Sequence, residues 1–274
     1  MKKLKNKVIV ITGGSRGIGL AIALRLAADG AKIAILAKTD QLNPKLPGTI
    51  FTAAKAIVEA GGKALPIKCD IRDEKQVADA FAQVICEFDG IDVLINNASA
   101  ISLTDTTNTD MKRFDLMQAV NGRGTYLCSK LAIPHLRNSK NPHILTLSPP
   151  LNLNPQWFGS HLALHHIEIH HEHVYARLAK ELSCCGIAVN SLWPEFIIDT
   201  AAIANMPNGD EMKRHSRKPE IMAEAAHWIL RQKACKVSGN FFIDSEVLKN
   251  NGQENLSSYA VNPDLELIRD IFLD

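Results

Sequence analysis

The sequence predicts an α/β fold: a Rossmann-type, doubly wound parallel sheet of about seven strands in a single domain. Three observations carry this expectation. Short β-branched runs alternate with helical segments along the chain. Those runs are apolar throughout rather than at every second residue, as strands buried on both faces of a parallel sheet are. A glycine string joins the first run directly to the first helix. At 274 residues and 46% hydrophobic composition, the chain can bury one full core.

Strands are expected at 7–11, 32–37, 64–69, 93–96, 143–147, 187–192 and 239–243, and helices at 18–29, 52–60, 74–88, 111–136 and 219–232. Residues 40–48, with two prolines and a glycine, form a loop longer than β-α connections usually have. Residues 149–157 carry three prolines and form a second such loop. Long loops near strand ends often line sites. Residues 1–244 make up the dinucleotide-binding unit, and 245–274, polar and poorly periodic, are expected as irregular chain packed on its surface.

A net charge of +2 with Lys and Arg scattered excludes nucleic acid and anionic membrane surfaces as expected partners. No apolar run approaches the ~20 residues that a membrane span needs. The basic start runs into the first strand rather than into a signal peptide, so a cytoplasmic location is expected. Six cysteines without CxxC spacing read as reduced thiols packed as small apolar groups.

Thr12-Gly13-Gly14-Ser15-Arg16-Gly17-Ile18-Gly19 follows the first strand and opens the first helix. Glycines there permit a tight turn and close approach of backbone to a pyrophosphate at a helix N-terminus. The second strand ends Leu36-Ala37-Lys38-Thr39, without the acid that would bind a pair of ribose hydroxyls. Lys38 and Arg16 could instead face a 2′-phosphate, which favours NADP over NAD.

With Asn96-Asn97-Ala98 and Asn121, this loop resembles the short-chain dehydrogenase/reductase family. Pro44-Lys45-Leu46, Ser148 to Pro155, Trp157-Phe158 and Trp193-Pro194 are similar to its hydroxysteroid-dehydrogenase-like branch. The resemblance covers nearly all of the chain and implies an oxidoreductase of carbonyl or hydroxyl substrates, working as a homo-oligomer, a dimer or a tetramer. It implies that Gly13, Ser15, Arg16, Gly17, Ile18, Gly19 and Lys38 hold the cofactor. Asp70 would flank the adenine, Asn96 and Ala98 the adenosine ribose, and Pro194 and Thr200 the nicotinamide side. Asn121 and Ser148 match the family's catalytic Asn and Ser. Trp157, Phe158 and Trp193 beside the long loops read either as core or as the mouth of a site for a small apolar carbonyl or hydroxyl compound.

The family also pairs a catalytic Tyr with a Lys four residues later on one helix face. Counting forward from Trp157-Phe158 places that pair at Leu164 and Glu168; counting back from Asn190 and Pro194 places it at His165 and Ile169. Neither register supplies it, and Tyr175 has Ala179 four residues on. General acid–base catalysis is typically worth 10²–10⁴-fold, so proton transfer is expected to be impaired or rerouted.

Six of the ten histidines fall in 161–173 instead. On a helix, His166, His170 and His173 share one stripe, and His161, His165, Glu168 and Glu172 another. Three readings stand: a divalent ion such as zinc on His166, His170 and His173; a solvated or subunit-interface face; or His165 as a substitute acid–base group. HExxH and HxxEH, the hydrolytic zinc patterns, are absent. The function therefore reads as an oxidoreductase with altered proton transfer, a catalytically silent dinucleotide binder, or a scaffold whose histidine helix binds metal or mediates assembly.

Overall fold

Seven parallel strands form one sheet in the order β3-β2-β1-β4-β5-β6-β7. They are β1 (Val8–Thr12), β2 (Lys32–Ala37), β3 (Lys63–Lys68), β4 (Val93–Asn96), β5 (His143–Leu147), β6 (Ala188–Trp193) and β7 (Phe241–Ile243). This computed structural model describes residues 4–43, 46–150, 152, 154–158 and 161–273, and of residues 156, 158, 165 and 167–175 the backbone alone. The strand order reverses direction between β1 and β4, the switch point at which doubly wound sheets open a crevice.

Helices cover both faces. On one side α1 (Gly17–Ala27), α2 (Ile50–Glu59), α10 (Glu220–Leu230) and α11 (Asp244–Asn250) bury Ile22, Leu26, Ile57 and Ile229 against Ile9 and Ile11 of β1. On the other, α3 (Glu74–Phe88), α5 (Thr125–Leu136) and α7 (Leu162–Glu181) bury Val77, Leu127 and Leu178 against Val8 and Val10. Neighbouring residues of a single strand thus feed two cores, which is why the run is apolar at every position. Each fully buried Ile or Leu contributes ~1.5–3 kcal/mol. The shorter helices α4 (Met111–Met117), α6 (Pro155–Phe158), α8 (Ala201–Ala204) and α9 (Gly209–Arg214) lie over the carboxyl ends of the strands or on the flank.

Three expectations need correction. The helix expected over 111–136 is broken by a π-helical segment, Gln118–Gly124. Its cause is Asn121, whose side chain accepts from the Ala100 amide (2.8 Å) and donates to the Ala100 carbonyl (3.0 Å), a demand for position that an unbroken α-helix would not meet. The last strand starts at Phe241 rather than at 239. Gly239 has φ +80°, and the Asn240 amide donates to the Asn190 side chain instead of to a ladder carbonyl. The segment after 244 is not irregular surface chain: α11 buries Val247 and Leu248 under α10, and Asp244 and Ser245 are fully buried. Seven residues are too few to display a helical period in sequence.

Candidate active site

The carboxyl ends of β1, β2, β4, β5 and β6 open into a cavity of about 620 Å³. One wall is the β1–α1 turn. Gly13, at φ +68°, lies so close to β4 that a Cβ there would stand 2.9 Å from Ala98 Cα, and one on Gly19 would stand 2.4 Å from Asn97 Nδ2. Thr12 Oγ1 accepts from the Asn97 and Ala98 amides (3.0 and 3.1 Å), while Asn97 Nδ2 donates to the Thr12 and Gly13 carbonyls (2.9 and 3.1 Å). The turn is therefore fixed to the next strand before any ligand arrives. Helix α1 has no acidic residue in its first turn and no side-chain cap, so its first amides and positive dipole end remain for an anion.

The far end of this wall is basic. Lys38 is exposed at the end of β2. Arg16 donates from Nε to the Pro47 carbonyl (3.0 Å) and from Nη2 to the Gly48 carbonyl (2.9 Å), so the 40–48 loop holds its guanidinium; burial lowers its pKa. Asp70 is gripped by Arg72 through contacts of 2.9 and 2.5 Å, and this pairing holds its carboxyl below the ordinary range despite partial burial. Below the cavity, Asn96 donates to Ser129 Oγ (3.1 Å) and Thr146 Oγ1 (3.3 Å), leaving its buried Oδ1 without a partner among the described residues. Pro194 and Thr200 line the opposite side, with Thr200 Cγ2 3.5 Å from where a Cβ on Gly17 would lie.

The chamber beyond is apolar. Leu164 of α7, only 2% exposed, clusters with Met117, Trp157, Trp193 and Phe272 and faces the cavity beside Asn121. Ser148 is fully buried; its Oγ has no partner among the described residues, and the cavity wall takes its neighbours Thr146 and Leu147 instead. His166 is exposed on α7. The side chains of His165, His170 and His173 lie outside the described residues, and among the described ones no group of three ligating side chains converges as a metal site.

A nucleotide-sized cavity, a clamped glycine turn at a sheet's switch point and an uncapped helix N-terminus form one arrangement. Residues 7–210 match the short chain dehydrogenase family model. The chain belongs to the short-chain dehydrogenase/reductase family. It is 53% identical over 272 residues to hydroxysteroid dehydrogenase-like protein 2 of Danio rerio, and 51% identical over 272 to that of Homo sapiens. These matches take in 99% of this chain but 65% and 64% of those proteins, so the chain spans less than two thirds of their length. Among solved structures, a short chain dehydrogenase of Mycobacterium thermoresistibile superposes with a TM-score of 0.93 at 47% identity, covering 99% of this chain and 96% of that one. The family is one of oxidoreductases that bind nicotinamide dinucleotides, and the hydroxysteroid-dehydrogenase-like branch is the one this chain resembles. Among the described residues no helix is long and apolar enough to cross a membrane.

Three contributions to the site are not legible in the motifs. Asn97 does the clamping between β1 and β4; the run Asn96-Asn97-Ala98 marks the place without distinguishing the two amides. Residues from Ile197 to Met206 form an apolar flap over the cavity, in a stretch with no strand or helix period. The C-terminal segment supplies Asp270, Ile271 and Phe272. Trp193 Nε1 donates to the Ile271 carbonyl (3.2 Å), and the rings of Trp157 and Phe272 meet edge-on at 5.9 Å. Burial pushes the Asp270 carboxyl up to about 7, against the pull of the Ile271 amide and with help from the Asp244 charge. The signal for this strap was its last apolar group, Ile271-Phe272-Leu273, closing an otherwise polar tail.

Proposed function

We propose that the chain is an NADP(H)-dependent oxidoreductase fold for a small apolar carbonyl or hydroxyl compound, with proton transfer crippled by the side chain at Leu164. One observation carries this reading: a single cavity runs from a clamped glycine turn into an apolar chamber that Leu164 of α7 walls beside Asn121. The residues present fit a dinucleotide, since the unpaired Asn96 Oδ1 can accept from a ribose hydroxyl and Gly13 leaves the space a side chain would fill. Lys38 and Arg16 favour a 2′-phosphate, to which each cation adds a charge-assisted contact. Asp70, already neutralised by Arg72, does not repel it.

When bound, the nicotinamide supplies or accepts hydride. The chain's part is to seat it, to exclude water with Trp193, Ile271 and Phe272, and to orient a substrate oxygen toward the π-helical turn of Asn121. A carbonyl oxygen that gains charge needs a proton, and a leucine has none to give. His165 remains the candidate for a rerouted transfer, and a cytoplasmic homo-oligomer is the expected form.

Fluorescence titration with NADPH and NADH, followed by turnover against aldehydes and ketones, tests this reading. Binding of NADPH at least tenfold tighter than NADH, with turnover near background, is the expected result. The absence of binding to either would sink it. Loss of residual turnover in His165→Ala would identify the rerouted path, whereas binding with no turnover at all would make the chain a silent dinucleotide binder.

A further inference from the structure

Both places where the sequence leads one to expect the Tyr–Lys pair, Leu164/Glu168 and His165/Ile169, lie in one helix, α7. Trp157-Phe158 and Trp193-Pro194 keep the family pattern on either side, while 165–173 holds five histidines. The structure shows a cost at the same place. Leu164 presents an apolar wall to the cavity, and the buried Ser148 Oγ, behind that wall at the end of β5, has no partner among the described residues. His161, which opens the helix, sits in the left-handed region at φ 52° with its buried Nδ1 unpaired among the described residues.

The residues themselves point to how this arose. A codon read one nucleotide late takes the last two letters of one codon and the first of the next. Only Leu, Ile and Val have codons ending in TA, so only they can become Tyr in that phase, and only before a codon beginning with C or T. Leu164 is followed by His165, whose codons begin with C. Only Lys, Gln and Glu have codons ending in AA, so only they can become Lys, and only before a codon beginning with A or G. Glu168, four residues on, is followed by Ile169, whose codons begin with A. Every histidine of 165–173 becomes Thr, Ile or Met in the same phase.

We propose that residues 164–176 are a reading-frame-shifted version of a helix that carried Tyr in place of Leu164 and Lys in place of Glu168, flanked by two compensating shifts. The Leu164 wall is then where a phenol once met the cavity, and the histidine stripe is a by-product of the shifted codons rather than a ligand set. This inference rests on the oxidoreductase reading for its meaning, but not for its test.

The test is the nucleotide sequence of codons 160–180, followed by expression of the full chain with 164–176 recoded in the other phase. The expected codons are TTA or CTA for Leu164, ATT or ATC for Ile167 and GAA for Glu168. A Leu164 codon ending in another letter, GAG at Glu168, or ATA at Ile167, which would create a stop in the other phase, overturns the proposal. The recoded chain is expected to gain ~10²–10⁴-fold in NADPH-dependent turnover of an aldehyde panel. Matching codons with no such gain would leave the frame inference standing and fell the oxidoreductase reading instead. Mismatched codons would fell the frame inference whatever the turnover.

Discussion

The two ends of the cavity are built from different chemistry. At the dinucleotide end the functional groups are mostly backbone amides, carbonyls and the space left by Gly13 and Gly19, held by the Thr12–Asn97 clamp. At the other end the cavity is walled by side chains, Asn121 in its π-helical turn and Leu164 of α7 among them. Backbone chemistry survives almost any change of side chain that leaves the turn intact. Side-chain chemistry is lost with one residue, and the proposed function places the difference between the two ends there.

The largest expected effect lies at the reacting end. Leu164→Tyr combined with Glu168→Lys should raise kcat with NADPH by ~10²–10⁴-fold while leaving NADPH affinity within a few-fold. A rise in affinity without turnover would show that α7 sets binding and not chemistry, and would erase the contrast between the two ends.

Next comes the dinucleotide end. Gly13→Val places a branched side chain at a positive φ and against Ala98, and should weaken NADPH binding by ~100-fold or more, about 2.7 kcal/mol. Titration of variant and parent, with circular dichroism to confirm folding, checks it. Unchanged binding would mean that the turn is not the pyrophosphate cradle. Lys38→Glu should lower the NADPH to NADH affinity ratio by ~10-fold, about 1.4 kcal/mol, because a carboxylate there repels a phosphate dianion. A ratio that stays put would leave Arg16 as the discriminating cation.

The smallest effect concerns the strap that joins the ends. In the fold, Asp270 keeps its proton to about pH 7, whereas an unfolded aspartate loses it near pH ~4. The folded state thus binds more protons over that window, and stability falls as pH rises from ~4 through 7. Asp270→Asn removes the cost of an ionised carboxylate and should raise Tm at pH 8 by a few degrees more than at pH 4.5. Asp244, pushed up to about 6 by burial, adds to the same slope, but it also accepts from the Glu195 and Ser245 amides and is a poorer site to test. An equal change at both pH values would show that the Asp270 carboxyl is solvated in the folded chain.

The sequence by itself determined the sheet and the glycine turn. Apolar runs of strand length and glycines at a strand–helix junction are local patterns whose physical cause lies within a few residues, and 32–37, 74–88, 93–96 and 143–147 appear as the strands and helix their patterns predict. The π-helical turn, the Asn97 clamp, the flap of 197–206 and the C-terminal strap were decided only by the tertiary structure. Each depends on a partner far along the chain: Ala100 for Asn121, Thr12 for Asn97, Ile268 for Ile197 of the flap, and Trp193 and Trp157 for the last residues. A seven-residue helix such as α11 carries too little period to be seen alone, and the raised pKa of Asp270 arises from a burial that no local pattern encodes.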